Sequence, residues 1–240
     1  LQDFDCRNNR LAWLALQQDN FFTAATTAVA RYGAARVGVF IGTSTSGIHQ
    51  TELAYFENQD PLPAWYNYRT THNVSSIAAF VQQALGSSGP MMAISTACSS
   101  SAKVFAAAQR AINAGLCDAA IVGGVDSLCL TTLYGFHSLQ LVAPEKCKPF
   151  DRQRSGISIG EAGGFALLEK GDSAGLYLLG YGESGDAYHM SSPHPEGAGA
   201  QLAMAAALGK AGLEASDIDY INLHGTGTQA NDLIESQAIR

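Results

Sequence analysis

Cys98 stands in 91-MMAISTACSSSAKVFAAAQRAI-112, where an apolar, strand-like segment gives way through a run of tiny residues to a helical pattern. A thiol at such a junction meets the unpaired N–H groups and positive dipole end of the helix that follows, which lower its pKa and make it a usable nucleophile. Ala97, Ser99, Ser100 and Ser101 leave room for a substrate, and Val104, Ala107, Ala108 and Ala111 recur at the spacing that buries one helix face. The same local sequence also suits a small buried residue at a helix start, capped by Ser95, Thr96 or a later serine. The second group lies in 222-NLHGTGTQANDLIESQAI-239, where His224 ends a strand pattern and alternating Gly and Thr let the backbone bend and bring the imidazole into a site. Asp232 and Glu235, three apart, share one face of the next helix, a place that equally suits solvated charges favoured by the helix dipole. A histidine before a turn is on its own more often structural, so the weight rests on the two stretches together.

The elements that must carry these groups read as alternating strands and helices. Strand patterns cover 36–44, the start of 91–112, 118–128, 157–170, 176–184 and 218–228, and helical patterns cover 11–32, 74–85, 199–213 and 230–240. A loop is expected after residue 44. The proline- and aromatic-rich segment 58–68 reads as a packed excursion, and 86-GSSGP-90 as a helix stop. Continuous apolar strands between helices predict an α/β fold with helices covering a mostly parallel sheet. No low-complexity tract divides the chain. The best seam is 146–156, giving a division into 1–150 and 151–240, and the strand-helix units at Cys98 and His224 look alike in plan.

Composition excludes several functions. The 240 residues, 47% hydrophobic and 15% charged with 25 glycines, suit a compact, turn-rich α/β protein. No run reaches the roughly 18 apolar residues of a membrane span, and the first residues carry no secretory h-region, so no membrane role and a cytoplasmic setting are expected. A net charge of −7 without a basic run gives no footprint for nucleic acid. Five cysteines, an odd count without a CxxC pair, argue against a disulfide framework and a zinc site.

Six stretches together resemble the β-ketoacyl-acyl carrier protein synthases, the condensing enzymes of fatty acid and polyketide assembly. They are TACSSS at 96–101, GGVDS at 123–127, KPFDRQRSG at 148–156, GEAGG at 160–164, DAYHMSSP at 186–193 and HGTGTQAND at 224–232, in family order over nearly the whole chain. The resemblance implies a thiolase-like layered fold of two related halves, with the cysteine from one half and histidines from the other. It implies that Cys98 takes an acyl group from a thioester and that its backbone N–H serves an oxyanion hole. His224 would then stabilise the enolate formed as malonyl-carrier protein loses CO2. Asp232 and Glu235 match acidic positions that help organise the site. Asp186, His189 and Ser191 match a gating loop, and Phe136 and Thr45 match positions lining the acyl pocket; a plain surface loop and plain core packing are the alternatives. His49, His72, His137 and His194 gain no role, nor do the other four cysteines.

The family also needs a second histidine, a lysine upstream of it and a Gly- and Phe-containing loop that would follow residue 240, and a first strand before residue 1. The expectation is therefore a fold incomplete at both ends, with doubtful activity for these 240 residues alone. The implied partners are an acyl carrier protein bearing acyl and malonyl groups, and a second synthase subunit in a homodimer or heterodimer, with no metal and no organic cofactor. A non-catalytic chain-length partner subunit is the alternative, against which Cys98 counts; a thiolase-type acyltransferase is a third, against which HGTGT and KPFDRQRSG count. The stretch 125–141 is similar to synthases of aryl polyene clusters.

Overall fold

The computed structural model describes residues 2–58, 60–171, 175–189 and 192–240. The chain separates into two compact units, Leu1–Gly135 with Gly160–Asp172 and Phe136–Ile159 with Ser173–Arg240.

In the first unit, β1 (Val37–Gly42), β2 (Met91–Ile94), β3 (Ala119–Asp126) and β4 (Ala162–Glu169) form one sheet in the order β2-β1-β3-β4. β1 pairs parallel with both neighbours and β4 runs antiparallel to β3, so the sheet is mostly parallel. Every residue of β1 is buried, because helices cover both faces and strand side chains alternate between them. Val37, Val39 and Ile41 point with Ile121 and Val125 into a core closed by Ala12 and Leu16 of α1 (Arg7–Leu16), Ala25 of α2 (Phe21–Tyr32) and Ile77, Phe80 and Val81 of α4 (Ser76–Leu85). Phe40, Ala120 and Val122 face the other way, onto Val104, Ala107, Ala108 and Ala111 of α5 (Ser100–Asn113), the stripe expected from the sequence. Each such large apolar side chain contributes roughly 1.5–3 kcal/mol on burial.

Two glycines set how closely α5 approaches. A Cβ on Gly42 would lie 2.4 Å from the Ser100 carbonyl carbon, and one on Gly124 2.3 Å from the Ser101 Cβ. Both sit at matching positions near the ends of paired strands, Gly42 opposite Gly124, so the opening turn of α5 rests on a surface without side chains.

Several expectations need correction. The helical pattern over 11–32 is broken at 17–20, where Asp19 (φ 50°) and Asn20 (φ 60°) turn left-handed, a conformation their short polar side chains tolerate. The loop expected after residue 44 contains α3 (Ile48–Glu57), and α6 (Leu130–Ser138) follows β3. Strand 157–170 begins only at Ala162, residue 157 making a single bridge to Val142.

The second unit holds α7 (Ala198–Ala211), α8 (Gln229–Ala238) and long connecting loops. Segments 176–184 and 218–228 have strand-type sequences but pair with no ladder among the described residues, and Leu176, Tyr177, Leu179, Tyr220 and Ile221 are exposed. An extended apolar sequence becomes a strand only when a partner satisfies its backbone groups.

Candidate active site

Cys98 lies between β2 and α5, one residue before the helix N-cap Ser99, and is exposed. The preceding residue, Ala97, has φ 53°, a left-handed conformation that costs a non-glycine residue about 1–2 kcal/mol and must be held by its surroundings. Two hydroxyls hold it: Ser100 Oγ and Ser44 Oγ donate to the Ala97 carbonyl at 2.6 and 2.8 Å. Ser100 Oγ also accepts from the Thr96 N–H at 2.9 Å, and Ser99 Oγ donates to the Thr96 carbonyl at 2.8 Å. The serines after the cysteine therefore pin the turn, and Ser99 makes no side-chain cap bond to α5. Of the other cysteines, Cys6, Cys117 and Cys129 are buried. Burial pushes the thiols of Cys6 and Cys117 up in pKa, away from nucleophilic use.

Asp126, at the end of β3, organises the neighbouring loop. Its Oδ1 accepts from the Ser44 and Thr45 N–H groups at 2.6 and 2.9 Å and from the Thr43 and Thr45 hydroxyls at 3.0 and 3.1 Å. Thr45 is 5% exposed and its hydroxyl accepts from the Ser127 N–H at 3.1 Å. Glu161 of GEAGG bridges Arg7, by bonds of 2.7 and 2.5 Å, to the Leu128 N–H at 3.0 Å, and these donors hold its carboxyl below the usual carboxylate range. Glu52 takes the Leu130 and Thr131 N–H groups at 2.9 and 2.6 Å, at the start of α6. Burial pushes the Glu52 carboxyl up, but the Thr131 hydroxyl, these N–H groups and His49 outweigh it and leave the pKa lowered.

In the second unit the expected group assembles around the HGTGT turn. His224 is exposed, and its backbone N–H donates to Glu235 Oε1 at 2.6 Å while the Gly225 N–H reaches Oε2 at 2.9 Å. Asp232 is 1% exposed, not a solvated charge. It receives the Gly227 N–H at 3.1 Å, the Phe150 N–H at 2.7 Å and Arg154 Nε at 3.4 Å, tying KPFDRQRSG to the turn. Gly227 (φ +75°) has no substitute here: a Cβ would lie 2.7 Å from both Cys147 Sγ and the Gly156 carbonyl oxygen. Thr228 caps α8 by accepting from the Asn231 N–H.

Asp186 accepts from the Gly199 and His194 N–H groups at 3.0 and 3.1 Å. His189 on that segment is exposed, and Ser191 lies outside the described residues. Phe136 is half-buried on α6, in the second unit, whereas Thr45 and Cys98 belong to the first. His72 accepts or donates a bond with Thr51 at 2.6 Å, and burial lowers its pKa; His194 Nδ1 takes the Glu196 N–H, so both serve local structure. Asp126, Glu161 and Glu52 were not singled out from the sequence, although the first two stand inside the GGVDS and GEAGG stretches. Among the described residues no group of three His, Cys, Asp or Glu side chains could hold a metal ion, and no helix is long and apolar enough to cross a membrane.

The exposed thiol on a strained strand-helix turn, carried on this α/β scaffold, matches the thiolase-like fold class. The chain belongs to the beta-ketoacyl synthase family: residues 8–174 match its N-terminal domain and residues 177–240 its C-terminal domain. It is 36% identical over 216 residues to nodulation protein E of Rhizobium meliloti, covering 86% of this chain and 53% of that protein. To 3-oxoacyl-[acyl-carrier-protein] synthase 2 of Staphylococcus aureus it is 33% identical over 220 residues, covering 85% of this chain and 55% of the relative. A solved structure of a ketosynthase in complex with its chain length factor, from Xenorhabdus doucetiae, superposes with a TM-score of 0.90 at 41% identity, covering 99% of this chain and 59% of that one. The chain thus spans little more than half the length of the relatives it matches.

Proposed function

We propose that the protein catalyses decarboxylative Claisen condensation in fatty acid or polyketide-type chain elongation. The Cys98 thiolate attacks the carbonyl of an acyl thioester, and the carrier thiol leaves. Malonyl-acyl carrier protein then loses CO2, and the resulting enolate carbon attacks the acyl-enzyme carbonyl. The new C–C bond forms first, giving a tetrahedral intermediate that then expels the Cys98 thiolate. The Cys98 N–H serves the oxyanion of each tetrahedral intermediate, and His224 donates a hydrogen bond to the enolate oxygen. Asp232 and Glu235 keep the histidine turn in place, Asp186, His189 and Ser191 gate access, and Thr45 and Phe136 line the acyl pocket.

The observation that carries this reading is the exposure of Cys98 on a turn held against strain, where Cys6, Cys117 and Cys129 are buried, and its place in the family's TACSSS context. The chain divides functionally into a half bearing the nucleophile, 1–150, and the start of a half bearing the histidine, 151–240. The partners in this reading are an acyl carrier protein and a second synthase subunit, and the setting is cytoplasmic. A heterodimer is favoured by the likeness to a ketosynthase solved with its chain length factor, and an aryl polyene product fits the 125–141 stretch. The alternative, a chain-length partner without condensing activity, is disfavoured by Cys98. An elongation assay on the whole protein with an acyl primer and malonyl-carrier protein tests this: Cys98→Ala abolishes the β-ketoacyl product. Equal product from wild type and variant refutes the catalytic reading.

A further inference from the structure

We propose that Asp126 is a positioning residue that sets acyl-chain selectivity by fixing the 43–46 turn between the acyl pocket and the nucleophile's turn; the inference rests on the condensation reading above. β1 and β3 run parallel with Gly42 opposite Gly124, so Asp126 lies two residues past that pair, where the chain after β1 must turn. Two consecutive N–H groups and two hydroxyls of that turn converge on one carboxylate oxygen, Oδ1 of Asp126. The Thr43 hydroxyl in turn accepts from the Ser46 N–H at 2.9 Å, and Ser46 itself is left-handed at φ 46°. Thr43 and Thr45 are buried, so three of the four donors have no water to turn to if the carboxylate is lost, whereas the Ser44 N–H belongs to an exposed residue.

The turn has two outputs. Thr45, the residue matched to the acyl pocket, is held by both its N–H and its hydroxyl on Asp126. Ser44, between Thr43 and Thr45, places its N–H on Asp126 and its hydroxyl on the carbonyl of Ala97, the strained residue before Cys98. A single carboxylate therefore braces the pocket side chain and, through Ser44, the turn that presents the thiol. Asparagine at 126 keeps the shape but replaces a charged acceptor with a weaker neutral one, so the turn loosens while the sheet beneath it stays paired.

The test uses the whole protein and a series of saturated acyl-coenzyme A thioesters from four to twelve carbons, with the rate of adduct formation on Cys98 read by mass spectrometry. Asp126→Asn is expected to change the ratio of long- to short-chain rates at least about fivefold, with circular dichroism like wild type. Ser44→Ala, which cuts only the link to Ala97, slows all chain lengths by a similar factor and leaves the ratio alone. A folded Asp126→Asn protein with the wild-type ratio overturns the proposal. If that variant does not fold, Thr43→Val, which removes one donor to Asp126 together with the acceptor of the Ser46 N–H, carries the test: a shifted ratio supports the proposal and an unchanged one overturns it. Wild-type protein that forms no Cys98 adduct with any of these thioesters or with the same acyl groups on acyl carrier protein defeats the condensation reading instead, and with it this inference.

Discussion

Replacing Asp232 by asparagine isolates what holds the histidine turn. The carboxylate is 1% exposed and receives Phe150 N–H on Oδ2 and Gly227 N–H on Oδ1, with Arg154 Nε beside Oδ2. An amide has one oxygen, so its NH2 group must face either the Phe150 or the Gly227 N–H, and one buried donor loses its acceptor at about 1–3 kcal/mol. Arg154, 16% exposed, loses its counter-charge; breaking a buried ion pair costs about 3–5 kcal/mol. Arg154 still donates to the carbonyls of Asp151, Thr228 and Gln229, so its charge is not left bare and the ion-pair cost falls below that range, bringing the total to about 3 kcal/mol. At about 1.4 kcal/mol per tenfold, that is a rise of roughly a hundredfold in the exchange rate of the Phe150 and Gly227 amides. Hydrogen-deuterium exchange on peptides spanning 147–156 and 224–232 reads it directly. Exchange within about threefold of wild type in both peptides would show that Asp232 does not join the two segments.

Three further expectations follow from the same structure. Gly42→Ala places a methyl 2.4–2.5 Å from backbone atoms of Ser100 and Ser101 that cannot rotate away, and urea unfolding followed by Trp13 and Trp65 fluorescence is expected to show a loss of at least about 1–3 kcal/mol. Glu52 has a depressed pKa, so its contribution to stability is complete above the unfolded-state value of 4.5 and is lost as pH falls through the lower folded value; Glu52→Gln flattens the stability profile below about pH 4.5, and an unaltered profile contradicts the assignment. Glu235→Ala releases the His224 and Gly225 N–H groups and is expected to lower condensation at least about tenfold while leaving Cys98 acylation near wild type, measured by stopping each half-reaction separately.

What the sequence made legible was local. The strand-to-helix passage at Cys98 could be read because β2, the small residues and the stripe Val104, Ala107, Ala108, Ala111 each leave their own periodic mark. The His224 turn could be read because alternating glycines precede a capped helix. α3 escaped because it buries only Ala54 and exposes Leu53, Tyr55 and Phe56, and α6 because it buries none of its residues, so neither shows an apolar stripe. The acidic braces escaped for a different reason. Asp126, Glu161 and Glu52 act on N–H groups and an arginine roughly 80 to 150 positions away in the chain, and nothing in a carboxylate's neighbours announces which donors tertiary folding will bring to it. Segments 176–184 and 218–228 show the converse, since strand-like patterning there meets no ladder among the described residues.

The account depends on Cys98 being the thiol that takes the acyl group. Intact-mass and peptide analysis of the whole protein after exposure to an acyl-carrier thioester should show one acyl adduct per chain, on Cys98 and absent in Cys98→Ala. An adduct on Cys147 instead, or none while condensation proceeds, would contradict it.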